Sequence, residues 1–235
     1  MSFLDKGLVI GLGNITKNQI LKAKKFNYKT CIACGPAINL TNNFKIKNRI
    51  MFLNEARLAG DEYWDKVSRE RNEKQTYNYD ANNLIDFEIP NEIWVFHHKL
   101  VLTTNSIEQR IRSCGFKGRI KIYSMRSLFS DMIKHLGLNS LFLDNKFIAI
   151  IDILLSILLD KMVMKFGLKI PSGGIIAILA CLNQTKNIDI LGISLNRKFG
   201  YINNRKYSYP KKGQTAHIIY DKRILEMLDN KIIKL

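Results

Sequence analysis

The sequence has no apolar run long enough to cross a membrane and no pair of histidines at metal-ligand spacing. It is also short of acid. A spanning helix needs about 20 apolar residues. The most apolar stretch, 147–159, is interrupted by Asp152 and closed by Asp160. It reads as a core helix, with a surface helix dipping into a membrane as the other reading. A secretory leader is not expected, because Asp5 comes early and the apolar run 7–13 is short and ends in a polar loop. Only four histidines and four cysteines are present. Cys31 and Cys34 form a C-x-x-C, but Cys114 and Cys181 stand alone, so zinc or dithiol chemistry has little to build on. The run Thr30-Cys-Ile-Ala-Cys-Gly-Pro36 reads better as a buried strand entering a turn, with reduced thiols in a cytosolic setting.

Acidic residues number 20 against 37 lysines and arginines, for a net charge of +17. Such a field attracts polyanions, anionic lipid or phosphorylated small molecules. The lysines are spread along the chain, with no run longer than two. A compositional bias of the source accounts for that spread equally well. The length of 235 residues and an apolar content of 46% support one large α/β domain with a core of its own.

Apolar runs alternate with helical spacing along most of the chain. Strands are expected near 7–13, 28–34, 47–53, 92–96, 119–123 and 188–193. Helices are expected near 15–26, 57–68, 106–114, 126–136, 142–165 and 216–228. Residues 69–86 read as a polar loop or insert. Repeated strand-then-helix order predicts an α/β fold: a Rossmann-like parallel sheet with helices on both faces. Ligands of such folds sit beyond the carboxyl ends of the strands. The adjacent histidines 97 and 98 follow a strand, and alternation points them to opposite sides. Residues 196–215 are basic and aromatic without apolar periodicity, and read as a mobile flap within the single domain 1–235.

Three places could carry chemistry. Gly11-x-Gly13 follows the first strand, but Thr16 stands where a dinucleotide fingerprint has its third glycine, and no acidic partner is evident. In Lys169-Ile-Pro-Ser-Gly-Gly174 the proline favours extended geometry, Ser172 is placed to cap a helix, and Gly173 and Gly174 leave its first turn unshielded. The following residues 175–181 are uncharged, so the helix is buried and its open N-terminus is an anion site. His217 opens the last helix with Asp221 one turn on, which could orient its ring. The plainer role for His217 is to cap that helix or to pack beneath the flap.

Taken in order, Ala33-Cys-Gly-Pro36, Phe52-Leu-Asn54, Lys169-Ile-Pro-Ser-Gly-Gly174, and His217 with Asp221 and Glu226 resemble the CMP-sialic-acid-dependent sialyltransferases, bacterial and animal. The resemblance covers about 29–58 and 166–228. It implies a variant single-domain glycosyltransferase fold. It implies nucleotide contacts at Gly35 and Asn54, and phosphate and sugar contacts at Lys169, Ser172, Gly173 and Gly174. Flap tyrosines such as Tyr201 and Tyr207 would steady the phosphate, and His217 would act as base. Cys34 stands where these families usually place an asparagine, and Lys169 where some have an arginine. The implied reaction is inverting transfer of a sialic-acid-like sugar to an oligosaccharide or lipid-linked glycan acceptor. It needs no metal and no cofactor beyond the CMP-sugar substrate. CMP-Kdo would meet the same phosphate site and suit a surface polysaccharide. The implied location is cytoplasmic, and the charge suits peripheral contact with an anionic inner membrane face. A reading from another class is a basic nucleic-acid-binding domain, with flap tyrosines stacking on bases. A nicotinamide-dependent oxidoreductase built on Gly11-x-Gly13 is a further one.

Overall fold

A computed structural model describes residues 4–58, 88–98, 102–137, 146–159, 170–193, 199–202, 205–208 and 214–235. The expected helix at 57–68 and polar loop at 69–86 fall almost wholly outside these. Seven strands make one sheet: β1 (Leu4–Ile10), β2 (Asn27–Cys34), β3 (Lys45–Asn54), β4 (Glu92–His97), β5 (Arg119–Ser124), β6 (Asn187–Leu191) and β9 (Ile232–Lys234). Two more, β7 (Phe199–Ile202) and β8 (Arg205–Ser208), pair with each other as an antiparallel ribbon. The sheet order is β5-β4-β3-β2-β1-β6-β9, and every neighbouring pair is parallel. This is the expected doubly covered α/β sheet.

Both faces are buried, and the strand residues divide between them by simple alternation. Leu8, Ile10, Cys31, Ala33, Met51, Leu53, Ile93 and Val95 pack with Ala23 of α1 (Lys17–Ala23), with a 3-10 helix (Gly35–Asn43), and with Ile107 and Ile111 of α2 (Thr104–Ser113). Val9, Ile32, Ile50, Phe52, Trp94 and Phe96 pack on the other face. There they meet α3 (Met125–Leu136), α4 (Lys146–Leu159), α5 (Gly173–Leu182) and α6 (Gln214–Met227). Strands covered twice need apolar residues at odd and even positions alike, which is why they appear as unbroken runs in the sequence. The chain steps from β1 out to β5, and the connecting helices that the structure describes on the way lie on the first face. It returns over the second face to place β6 on the free side of β1. Right-handed crossovers require that change of face when the direction reverses. The reversal between β1 and β6 is the switch point where such sheets open a crevice.

At the switch point the two exit loops touch backbone to backbone. Gly11 N–H donates to Leu191 O at 2.8 Å, and Gly13 N–H to Gly192 O at 2.7 Å. A Cβ on Gly11 or Gly13 would lie 2.5 or 2.6 Å from Gly192 O, and Gly192 itself has φ +63. The glycine pair therefore serves close loop packing. Thr16 caps α1 in a reciprocal pair with Gln19.

Four elements differ from expectation. β9 was not foreseen: it has three residues, of which Ile232 alone is buried. The flap contains the β7–β8 ribbon in place of irregular chain. The apolar helix α4 is not a simple core helix, because Ile151, Leu154, Leu158 and Leu159 face solvent while Asp152 and Ser156 are buried. Cys31 and Cys34 lie three apart on one strand, so they point to opposite faces and pack into different clusters. Burial raises the Cys31 thiol pKa well above its usual value and pushes Cys181 up to about 12.

Candidate functional site

The helix α5 begins where the sequence places it, but its cap differs. Ser172 sits at the N-cap with φ −63 and ψ 158, yet its hydroxyl makes no cap hydrogen bond to the first turn. The charge at this end comes from the last helix instead. Asp221 on α6 accepts a hydrogen bond from the Ser172 N–H at 2.9 Å, and its side chain is almost fully buried. A carboxylate is favoured there, because the free N–H groups and aligned peptide dipoles give the helix start a partial positive charge. The open anion site of the sequence reading is thus shared with a protein carboxylate. Asp221 is also the residue expected to orient His217, whose side chain lies outside what the structure describes.

Space remains beside that contact. Gly173 is exposed, and among the described residues a Cβ built on it meets nothing within 4 Å. Gly174 is buried. The carboxyl end of β2 closes the other side: the Cys34 thiol, half-buried there, donates to Gly173 O at 3.9 Å. Gly35 follows directly, buried and with φ +51, a left-handed turn that glycine adopts without strain. Asn54 ends β3. Cys34 pairs with Phe52 in the ladder, so Asn54 lies two positions further along the adjacent strand. By alternation its position belongs to the face that carries α5.

The structure therefore brings Ser172, Gly173, Gly174 and Asp221 together, with Cys34 against Gly173, Gly35 next in the chain and Asn54 on the neighbouring strand end. His217 lies on α6 one helical turn before Asp221. Tyr201 and Tyr207 lie on β7 and β8, at successive rungs of the ribbon: Tyr201 pairs with Lys206 and Tyr207 with Gly200. Successive rungs alternate between faces. Lys169 lies outside the described residues.

A second polar cluster escaped the sequence reading. Glu55, fully buried after β3, meets both histidines at the end of β4. Glu55 Oε2 is 3.1 Å from His97 Nε2, and Oε1 contacts His98 Nδ1. His97 Nε2 is also 2.8 Å from Leu102 O, so that nitrogen carries the proton, since a carbonyl only accepts. The histidines were expected on opposite sides. His98 lies one residue past the strand, where alternation no longer holds, and both rings converge on one carboxylate. His97 is still within β4 and by alternation falls on the face of Val95, whereas Asn54 falls on the face that carries α5. Among the described residues, no group of three or more histidines, cysteines and acids is placed to hold a metal ion.

No family model matches the chain, and no curated protein does. Among solved structures it is similar to the sialyltransferase CstII from Campylobacter jejuni, determined in complex with a substrate analogue, CMP-3FNeuAc. The match covers 97% of this chain and 78% of that one, at 13% identity and a TM-score of 0.42. A likeness at that level carries no weight for donor, mechanism or residues, which rest on the site itself.

Proposed function

We propose that this chain is a glycosyltransferase that moves an acidic, sialic-acid-like sugar from a CMP-sugar to a glycan hydroxyl. The carrying observation is the open space over Gly173. Glycine in a helix interior is about 1 kcal/mol less favourable than alanine; Gly173 opens the helix, and among the described residues none lies within 4 Å of a Cβ placed there. A ligand pressed against the first turn supplies the missing reason. The sequence elements that resemble the sialyltransferases also meet here: the β2 and β3 exits, the Ser-Gly-Gly turn and the helix bearing His217.

In this reading the first-turn N–H groups of α5 and the Ser172 hydroxyl bind the donor phosphate. Gly35 and Asn54 line the nucleotide, with Lys169 and either Tyr201 or Tyr207 as further phosphate contacts. The acceptor oxygen attacks the anomeric carbon as the carbon–oxygen bond to phosphate breaks, and the electron pair leaves with CMP. The acceptor proton passes to the His217 imidazole. Donor N–H groups stabilise the departing phosphate charge without a metal. In-line attack inverts the anomeric centre. Asp221 holds the start of α5 against α6, which joins the base-bearing helix to the phosphate turn.

The direct test is thermal stabilisation by nucleotides. CMP at about 100 times its dissociation constant raises stability by about 2.7 kcal/mol, whereas UMP, AMP and NAD at equal concentration raise it much less. Equal response to all four rejects the donor class. His217→Ala is expected to abolish transfer while CMP binding persists; full turnover in that variant rejects the base. Parallel donor-hydrolysis assays with CMP-sialic acid and CMP-Kdo separate the two acidic sugars.

A further inference from the structure

The helix α4 is turned the wrong way round for a soluble surface. Its inward face carries Asp152 and Ser156, both fully buried, with Ile153 beside them. Its outward face carries Ile151, Leu154, Leu158 and Leu159, exposed by 48%, 60%, 72% and 57%. Residues 151, 154 and 158 are spaced three and four apart, so they form one stripe along the helix. Single exposed leucines are ordinary, but a contiguous apolar stripe marks a surface that meets something.

Charge around the stripe identifies what it meets. The acids of α3 and α4 are both hidden: Asp152 is buried, and Asp131 is buried against the Tyr123 hydroxyl. The bases are not. Arg126 and Lys134 on α3 are exposed. The Arg126 guanidinium reaches across to α4, donating from Nε to Ile157 O at 2.8 Å and from Nη2 to Leu158 O at 3.3 Å. A cation thus stands at the backbone of Leu158, the most exposed leucine of the stripe. Two helices that show solvent leucines and bases but no acid fit an apolar surface coated with negative charge. A second copy of the chain fits poorly, since each copy carries +17. Among the described residues no helix is long and apolar enough to cross a membrane, so the stripe would lie in the plane of the interface.

We propose that the outward face of α4, with Arg126 at its end, docks the protein onto the headgroup region of an anionic lipid bilayer. The proposal is independent of the donor reading, because none of these residues belongs to the α5 mouth. The experiment is co-sedimentation of the full chain with vesicles of phosphatidylcholine alone or mixed with phosphatidylglycerol. The wild type is expected to sediment with the mixed vesicles and to remain in solution with the neutral ones. Leu154→Gln with Leu158→Gln is expected to weaken binding about tenfold or more, with a melting temperature unchanged or raised. Ile151→Gln with Leu159→Gln gives a second, independent pair. Leu21→Gln is the control: Leu21 is 59% exposed on α1, across the sheet, among lysines. Its loss should leave binding intact. Three results overturn the proposal: no binding of the wild type to mixed vesicles, equal binding by both double variants, or a wild-type dimer that the variants turn into monomers.

Discussion

Gly173 is the residue at which fold and ligand make opposite demands. The fold tolerates a side chain there, since among the described residues none lies within 4 Å of an added Cβ. Gly173→Ala is therefore expected to leave the melting temperature unchanged or raise it, by up to about 1 kcal/mol of stability. The same methyl occupies the room proposed for the donor phosphate, so CMP stabilisation should fall sharply. If CMP protects the variant as well as it protects the wild type, the phosphate lies elsewhere. Such opposition separates this site from Gly13, where an added carbon strikes backbone and the fold itself suffers.

At the scale of elements, a buried polar contact joins α5 and α6 beside their shared apolar packing. Asp221→Ala removes the acceptor for Ser172 N–H in a buried place. It is expected to cost about 1–2 kcal/mol in denaturant unfolding, and Asp221→Asn, which keeps an acceptor oxygen, less. A loss no larger than that of an exposed substitution removes Asp221 as the clasp. The order of strands and helices was legible because doubly buried strands leave unbroken apolar runs between turn residues. The start of α5 was legible from Pro-Ser-Gly-Gly for the same local reason. The Asp221 clasp was not, since it links residues 49 apart in sequence, and nothing local marks it. Glu55 escaped because its partners are histidines on another strand, one of them past the last rung. α4 was misjudged because an all-apolar run carries no sign of which side faces in; only Asp152 and Ser156, buried, decide that. β9 and the β7–β8 ribbon are too short, or too polar, for periodicity to show.

At the scale of the whole molecule, one histidine ties together three regions distant in sequence. His135, near the end of α3, bonds Asn183 Oδ1 at the end of α5 at 3.0 Å. Its backbone oxygen accepts from Lys231, beside β9, at 3.2 Å. Burial lowers its pKa below the usual value, helped by Lys134 and Lys231; the Asn183 hydrogen bond and Asp131 act in the opposite sense. The unfolded chain therefore binds the proton more tightly than the folded one. Stability from this group is full above about pH 6.5, the unfolded value, and declines as pH falls through that value towards the lower folded one. His135→Gln should flatten this limb in a series of urea midpoints taken from pH 7 downward, about two units. A limb of unchanged slope removes His135 as its source.

The place of β1 in the sheet order also bears on how the chain is made. Its one edge pairs with β2, complete by Cys34, but its other edge pairs with β6, which ends at Leu191. During synthesis some 150 residues must emerge between the first partner and the second. Throughout that interval a nascent sheet of five strands presents the naked backbone of β1 to any other strand that passes. A product arrested before Asn187 would keep that edge for good, and would be expected to associate through it rather than remain dispersed.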